Sequence, residues 1–240
     1  MSEQPLLLFD IDGTLLVGDN TGHHAAIVRG LEEVYELDLS GFSFLSLEPW
    51  GKTDMQIALD ALAAHDVPEP IALERLELWL KIADSHHLAV VTGAEHPRPE
   101  PAPAAAGTLT ALAGDAIVGL LTGNIEGIAR RKLRSAGLAK HFVGGPGGFG
   151  SDHRDRGELV RIARERAGGP HPSSLTVVIG DTPRDIACAR AGGATCIAVT
   201  TGPFDDDALS EADAVIEGMS ELPGALTELG FGVSPVEPPA

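Results

Sequence analysis

The stretch LLFDIDGTL at residues 7–15 decides the fold, because an apolar run breaks there into two carboxylates and a glycine. The continuous apolar residues of 6–11 predict a short buried strand that ends at a turn. Alternation along a strand points Asp10 and Asp12 to the same side. Open α/β sheets bind ligands at the carboxyl ends of their strands, and buried carboxylates need compensation. The pair therefore predicts a bound cation; the alternative is a turn in which both side chains bond backbone amides.

A second apolar run, at 117–121, ends in Thr122, Gly123 and Asn124. The helical pattern that follows stops at Gly137, and glycine commonly terminates helices. A strand-to-helix turn offers free N–H groups and a positive dipole end, which suit a phosphate, and Thr122 adds a hydroxyl. This turn is therefore a candidate phosphate site, with an ordinary helix cap as the alternative.

A third apolar run, at 176–180, is followed by Asp181, and Pro183 then favours the first turn of a helix. If the strands are neighbours, Asp181 joins the first two carboxylates. Three carboxylates around one point make a hard oxygen site suited to Mg²⁺. Asp185 lies one helical turn later on the same side, although it is also the acid that a helix N-terminus favours.

A phosphoryl group among carboxylates needs positive charge from the protein. Arg154 and Arg156 lie just before a predicted helix, and Arg156 is preferred because it is closer to the helix start. Lys132 ranks below both arginines, because it lies within the helix after Asn124.

Composition narrows the class of protein. Of the 240 residues 43% are hydrophobic and only 4% aromatic, which predicts a core of aliphatic side chains. The net charge of −18 argues against a nucleic-acid binder, which usually has a basic surface. Cys188 and Cys196 are expected as buried thiols in a reducing compartment. Neither a membrane span nor a signal-peptide pattern is visible, so we expect a cytoplasmic protein.

Strands and helices alternate over much of the chain, which predicts a parallel sheet with crossover connections. We expect strands at 6–11, 116–122, 141–143, 176–180, 196–200 and 214–216. Between the first two strands the apolar residues instead recur with helical periodicity, at 25–37, 53–64 and 71–85. These patterns predict an inserted helical cap.

The predicted organisation is a core of 1–16 and 98–232, a helical cap of 17–97 and a disordered tail of 233–240. The proline-dense segment 95–103 returns the chain from the cap and is stiff. The glycine-rich residues 144–150 are predicted to form a loop that approaches the site closely.

The order of these motifs resembles the haloacid dehalogenase superfamily of phosphohydrolases. DIDGTL at 10–15, LTGN at 121–124, a basic residue and GDTPRD at 180–185 carry the likeness, which extends from about residue 5 to about residue 215. The closest likeness is to the branch of phosphoglycolate phosphatase and β-phosphoglucomutase. The resemblance implies an α/β fold, with a Rossmann-like doubly wound parallel sheet and an inserted α-helical cap. Arg156 replaces the lysine, followed by proline, that is usual in the family.

The resemblance also implies roles for the motif residues. Asp10 would be the nucleophile and form an aspartyl-phosphate. Asp12 would be the general acid and then the general base. The Asp10 carboxylate, the backbone carbonyl of Asp12 and Asp181 would hold Mg²⁺, and Asp185 would support the metal site. The remaining phosphate oxygens would be bound by Thr122, Gly123, Asn124 and Arg156.

The cap is expected to select the substrate. The turn 50–54 is similar to Gly-basic-Thr-Asp turns that lie over the active site in this branch. Lys52 is therefore a candidate for binding a substrate carboxylate or phosphate. The alternative is an ordinary helix N-terminus that Thr53 or Asp54 caps. His23 and His24 are further cap residues that can reach a substrate, and solvent exposure is the alternative for both.

The leading prediction is a Mg²⁺-dependent phosphatase of a small phosphorylated metabolite, with phosphoglycolate as the first compound to test. A sugar phosphomutase of the β-phosphoglucomutase type is the alternative enzyme. A non-catalytic phosphate-binding regulatory module is the alternative from another class. The expected partner is a small phosphate ester, with no nucleic acid and no membrane, and either a monomer or a homodimer fits.

Overall fold

The computed structural model describes residues 4–18, 21–92, 98–169 and 171–233. Its strands are β1 (Leu6–Phe9), β2 (Leu16–Val17), β3 (Glu100–Pro101), β4 (Ile117–Thr122), β5 (Gly147–Phe149), β6 (Thr176–Gly180), β7 (Thr195–Val199) and β8 (Ala214–Ile216). Its helices are α1 (Thr21–Tyr35), α2 (Asp54–Ala64), α3 (Glu69–Glu74), α4 (Leu76–Thr92), α5 (Ala105–Ala111), α6 (Glu126–Ser135), α7 (Arg156–Arg166), α8 (Pro183–Ala191), α9 (Asp206–Leu209) and α10 (Leu222–Glu228).

Six strands form one sheet in the order β5-β4-β1-β6-β7-β8. Every pairing in this sheet is parallel, and Leu8 of β1 lies between Gly119 of β4 and Val178 of β6. The carboxyl ends of β4, β1 and β6 are therefore side by side. The predicted Rossmann-like α/β fold is confirmed, and the three motif turns lie at one edge of the sheet.

Both faces of the sheet are buried, which explains why its strands are continuously apolar. Leu7 and Phe9 belong to one apolar cluster, which α5, α6 and α10 cover. Leu6 and Leu8 belong to the cluster on the opposite face, which α7 and α8 cover. The alternation follows from the two-residue period of a strand.

Helices α1–α4 form the insertion between β2 and β3, and these two short strands pair antiparallel at its base. The insertion has an apolar cluster of its own, in which Leu31, Leu62 and Trp79 are fully buried. Ile125 and Ile128, next to and within α6, complete that cluster, so the insertion packs directly on the core. The helix predicted over 71–85 is two helices in the structure, α3 and α4.

The strand predicted at 141–143 is wrong. Those residues belong to a 3₁₀ turn, Ala139–Phe142, and its end. The fifth strand is β5, inside the segment predicted to be a glycine-rich loop. A Cβ on Gly148 would lie 2.4 Å from the carbonyl oxygen of Leu159, so the missing side chain lets α7 pack closely on the sheet. Gly148, one of the glycines that suggested a loop, is therefore required by packing.

The predicted close approach of this segment to the site is confirmed at Gly150. A Cβ there would lie 1.7 Å from the carbonyl oxygen of Gly123. Cys188 and Cys196 are buried free thiols, as predicted. Within the described ranges, no helix has the length and apolarity that crossing a membrane requires. Parts of two predicted segments, 95–97 of the return linker and 234–240 of the tail, lie outside the described residues.

Substitution of Gly148 by Ala should destabilise the fold, because the new methyl group meets backbone atoms of α7 that cannot rotate away. Overpacking of this kind costs about 1–3 kcal/mol, and each kcal/mol lowers the Tm of a chain of this size by about 2–4 °C. The measurement is thermal unfolding followed by circular dichroism.

Gly107→Ala is the matched control, because Gly107 is exposed in α5 and a Cβ there meets nothing within 4 Å. Alanine in a helix interior should leave the Tm unchanged or raise it. Equal Tm values for the Gly148→Ala and wild-type proteins would contradict the packing argument.

Candidate active site

Three carboxylates converge at the carboxyl edge of the sheet. Asp10 follows β1, Asp181 follows β6, and Asp185 lies in the first turn of α8. Each offers an oxygen within 4.8 Å of those of the other two, and all three residues are buried. The parallel pairing of β1 with β6 brings together residues that are far apart in sequence.

Asp185 is held by the start of α8. Thr182 caps this helix, and its backbone N–H and its hydroxyl donate to Asp185 Oδ2 at 3.1 and 2.7 Å. Pro183 occupies the first turn, as predicted. The other carboxylate oxygen of Asp185 accepts a hydrogen bond from Arg156. Because both oxygens already have protein partners, Asp185 suits the support of a metal site better than direct ligation.

Arg156 reaches the carboxylates from the first residue of α7. Its guanidinium is only 8% exposed, and Nη2 lies 3.2 Å from Asp10 Oδ1. Nη1 donates to the carbonyl oxygen of Gly51 at 3.0 Å, and Nε is buried without a partner in the described part of the chain. Arg154, in contrast, is half exposed and pairs with Glu69 at 3.2 Å. Of the two candidate arginines, the structure brings Arg156 into the site.

Lys132, which ranked below both arginines from its place in the sequence, also lies at the site. Its ammonium is 3% exposed and lies 2.7 Å from Asp12 Oδ2, with further bonds to Asn124 Oδ1 at 2.8 Å and His23 Nδ1 at 3.0 Å. A position within α6 does not exclude it, because the buried face of α6 is turned to the site. The signal was available in the sequence, since Lys132 continues the apolar stripe of Ile125 and Ile128 at helical spacing.

Asp12 is bound by amide and ammonium donors. Asn124 Nδ2 donates to Asp12 Oδ2 at 2.9 Å and to Thr122 Oγ1 at 3.0 Å. Thr122 is fully buried at the end of β4. The other oxygen of Asp12, Oδ1, is buried and has no partner among the residues that the structure describes. The turn after β4 thus positions Asp12. The binding of phosphate by Thr122, Gly123 and Asn124 stays a prediction.

The cap contacts this turn directly. His23 Nε2 lies 2.9 Å from Asp54 Oδ2, which also accepts the backbone N–H of Ile125 at 2.7 Å. The N–H of Asp54 donates to the carbonyl oxygen of Gly123 at 2.7 Å. A Cβ on Gly123 would lie 2.1 Å from the carbonyl oxygen of Lys52, so only glycine allows this approach. His23 is therefore buried between cap and core, and not exposed to solvent.

Lys52 lines the cavity, but its ammonium is paired. Nζ lies 2.7 Å from Asp60 Oδ2 and donates to the carbonyl oxygen of Leu47 at 2.6 Å. Thr53 caps α2 by accepting the N–H of Gln56 at 3.1 Å, so the capping expected as an alternative is present. The assignment of Lys52 to substrate binding stays a prediction.

The carboxylates differ in their electrostatics. Burial raises the pKa of Asp10, and nearby Asp185 and Asp12 add to this effect, while Arg156 opposes it. Burial, Asp10 and Asp185 raise the pKa of Asp181. Burial also raises the pKa of Asp12, but the charges of Lys132 and His23 outweigh it and hold that pKa well below its usual range.

The arrangement fits a small divalent cation. The Asp10–Asp181 pair is buried with incomplete compensation, which is why both pKa values are raised. Gly13 and Gly202 leave the space that the Asp181 carboxylate occupies, since a Cβ on either would lie 2.2 or 1.8 Å from Asp181 Oδ2. Clustered carboxylate oxygens are the donors that Mg²⁺ prefers. The residues present therefore suit Mg²⁺.

The carboxylates open into a cavity of about 370 Å³ between the core and the cap. Core residues Asp10, Asp12, Asp181 and Arg156 line its floor. Residues of α1 and of the segment before α2 line the opposite side, among them His23 and Trp50. A small molecule bound here would contact both the carboxylates and the cap.

The sequence places the chain in a known family. Residues 5–193 match the family of haloacid dehalogenase-like hydrolases, and because the match covers most of the chain, the protein belongs to this family. No curated protein is similar in sequence at a significant level.

Solved structures share the fold at low sequence identity. A β-phosphoglucomutase from Clostridium difficile is 14% identical with a TM-score of 0.65, over 95% of this chain and 97% of that one. A predicted phosphatase from Clostridium acetobutylicum is 18% identical with a TM-score of 0.64, over 95% and 100%. CbbY from Rhodobacter sphaeroides, solved in complex with phosphate, is 16% identical with a TM-score of 0.61, over 92% and 96%. These likenesses show the fold.

Mg²⁺ should stabilise the protein against unfolding, by about 2.7 kcal/mol at a concentration of 100 times its Kd. Because the pKa values of Asp10 and Asp181 are raised, both carboxyls stabilise the metal-free fold when protonated, and this contribution is lost as the pH rises through the raised values. The Mg²⁺-induced increase in Tm should therefore be larger at about pH 8 than at about pH 5.5, since protons compete with the cation.

Thermal unfolding with and without Mg²⁺ measures this effect. Asp181→Asn should remove most of the Mg²⁺-induced shift. Asp207→Asn is the control, because this carboxylate is exposed at the start of α9. An undiminished shift in the Asp181→Asn protein would show that the cation binds elsewhere.

Proposed function

We propose that this member of the haloacid dehalogenase-like hydrolases is a Mg²⁺-dependent phosphatase of small phosphate monoesters that acts through an aspartyl-phosphate on Asp10. The single observation that supports this most is the convergence of Asp10 with Asp181 at one end of the sheet, beside the Arg156 guanidinium. This site joins a nucleophile, donors for a cation and a fixed positive charge in one cavity.

In the proposed reaction, Asp10 attacks phosphorus in line with the leaving oxygen. The bond from the Asp10 carboxylate to phosphorus forms as the bond to the leaving alcohol breaks. Asp12 gives its proton to the leaving oxygen and later takes a proton from the water that hydrolyses the intermediate. The lowered pKa of Asp12 favours the ionised form, which is the form that takes the proton in the second step, and an anionic ester beside it raises that pKa and favours the acid form for the first.

The Asp10 carboxylate, the backbone carbonyl of Asp12 and Asp181 would hold Mg²⁺, with Asp185 supporting them. Bound Mg²⁺ supplies positive charge to the phosphoryl oxygens and orients the group for displacement. Arg156 would bind another phosphoryl oxygen, and its unpartnered Nε supports this role. The remaining phosphoryl oxygens would be bound by Thr122 and by the backbone N–H groups of the turn at Gly123 and Asn124.

Lys132 has a positioning role in this proposal. Its ammonium and the Asn124 amide both donate to Oδ2 of Asp12 and so fix the orientation of this carboxylate. The buried Asp54–His23 pair then holds Lys132 from the cap side. Closure of the cap on the core is therefore linked to the position of the proposed acid and base.

A phosphomutase shares this fold and differs in the fate of the aspartyl-phosphate, which must survive while the sugar reorients. Release of inorganic phosphate from p-nitrophenyl phosphate, with and without Mg²⁺, distinguishes the two enzymes. A panel of phosphorylated metabolites, phosphoglycolate among them, extends this test. Binding of Mg²⁺ and phosphate analogues without hydrolysis of any ester would favour a non-catalytic module.

Asp10→Asn should abolish phosphate release while the fold is kept, because the amide is a poor nucleophile in the same volume. The measurement is phosphate release from p-nitrophenyl phosphate, with circular dichroism as the check on folding. The exposed Asp207→Asn variant is the matched control and should retain wild-type turnover. Near-normal activity in the Asp10→Asn protein would end the assignment of the nucleophile.

Asp12→Ala should lower kcat by about 10²–10⁴-fold, the usual contribution of a general acid and base. Both the formation and the hydrolysis of the aspartyl-phosphate should slow, which rapid-quench kinetics can separate. If only one of these two steps slowed, another group would have to serve the step that is unaffected.

A further inference from the structure

Apolar side chains form much of the cap side of the cavity, beside the polar residues His23, His24, Lys52 and Asp54. The side chains that face the carboxylates across the cavity come from α1, from the 3₁₀ turn Phe44–Leu47 and from the residues around α2. They include Ile27, Phe44, Leu45, Pro49, Trp50 and Ile57. Trp50 and Leu45 remain 41% and 61% exposed, so the rim of the cavity presents large apolar side chains that lack full cover. Apolar surface of this kind favours contact with an apolar group.

The cationic side chains that line the described part of the cavity are already paired with carboxylates. Among its described lining residues, the lysine and arginine side chains are Lys52 and Arg156. Arg156 lies at the phosphoryl end, bonded to Asp10 and Asp185. Lys52 lies on the cap side, where Asp60 neutralises it at 2.7 Å. Arg98 is exposed and is not part of the lining.

The two histidines do not replace these charges. His23 is bonded to Asp54 and to Lys132, so both of its ring nitrogens have partners. The ring of His24 stacks on Phe44, with centroids 6.4 Å apart and an interplanar angle of 6°. Burial lowers the pKa of His24, and the neighbouring His23 and Lys132 add to this, which opposes a positive charge on this ring.

The carboxylates of the cavity disfavour a second anionic group on the substrate. Asp10, Asp12, Asp54 and Asp181 all line the cavity. A substrate with a second anionic group would place that group on the cap side, near these acids and beside a lysine that is already paired. Desolvating an anion without a new partner is costly, and like charges add to the cost.

From this balance we propose that the leaving group of the substrate is uncharged and largely apolar, an aryl or alkyl alcohol in contact with Trp50 and Phe44. This inference rests on the proposed phosphatase function and names the substrate class of the same site. It excludes esters whose leaving group carries a carboxylate or a second phosphate. Phosphoglycolate, the compound that the family resemblance suggested, is then a poor substrate.

The test compares three esters that differ at one remote position: benzyl phosphate, para-carbamoylbenzyl phosphate and para-carboxybenzyl phosphate. The carbamoyl and carboxylate groups are similar in size, so their ratio of kcat/KM isolates the charge. We expect the carboxylate to lower kcat/KM by about tenfold or more relative to the carbamoyl ester. A smaller ratio would overturn the inference and leave the phosphatase proposal intact. Failure to hydrolyse any of the three would overturn the inference, and only the further absence of phosphate release from p-nitrophenyl phosphate and the metabolite panel would overturn the phosphatase proposal as well.

Asp60→Asn provides a gain of function, because it frees the Lys52 ammonium at nearly constant volume. The carboxylate ester should gain about threefold or more in kcat/KM relative to the carbamoyl ester. The double variant Asp60→Asn with Lys52→Met should return the ratio to its original value. An unchanged ratio in Asp60→Asn would overturn the account in which the missing cation sets the preference.

Trp50→Ala tests the apolar contact. It should raise KM for benzyl phosphate by about fivefold or more, while KM for ethyl phosphate, which is too small to cover the ring, stays the same. Parallel increases for both esters would overturn the assignment of Trp50 to the leaving group. Circular dichroism of the variant separates a loss of contact from a loss of fold.

Discussion

The burial of carboxylates at the carboxyl edge of the sheet is the constraint on which the rest of this structure depends. Asp10, Asp181 and Asp185 are packed together because the strands that precede them are neighbours. Their mutual repulsion has to be offset, and Arg156 offsets part of it from the start of α7. Burial, and then the neighbouring carboxylates, raise the pKa of both Asp10 and Asp181 despite this arginine. A site with this remaining negative charge is suited to a cation and, through it, to a phosphoryl group.

A second set of charges joins the cap to the core. Asp54 and His23 belong to the cap, and Lys132 and Asp12 belong to the core. The four groups form one connected chain, in which Asp54 bonds to one ring nitrogen of His23, Lys132 donates to the other, and the Lys132 ammonium compensates Asp12. Buried charges of this kind are costly when a partner is removed. The position of Asp12 therefore depends on the cap as well as on its own strand.

The cap also divides the cavity into two chemically different ends. The core end is polar and charged, with Arg156 aimed at Asp10. The cap end is aromatic and aliphatic, and its lysine is neutralised by Asp60. The catalytic residues that we propose lie at the core end, whereas the apolar side chains come from the insertion. We therefore infer that the insertion sets the substrate preference.

Much of the fold was predictable because it depends on local patterns. Continuous apolar runs indicated the buried strands, and the motifs after 6–11, 117–121 and 176–180 indicated the site at their ends. The wrong strand at 141–143 shows the limit of such patterns. The glycines at 147 and 148 predicted a loop, but they belong to β5, where Gly148 packs closely on Leu159 of α7 because it has no side chain. That requirement concerns a distant helix and leaves no local signal.

The sequence by itself determined the family, the parallel α/β core and the acidic residues at its edge, since strand periodicity and motif spacing are local properties of the chain. Only the tertiary structure decided between Arg154 and Arg156, brought Lys132 onto Asp12, and paired Lys52 with Asp60. The physical reason is that the effect of a charged side chain depends on which other charges share its surroundings. Those neighbours come from distant segments, and folding alone brings them within a few ångströms.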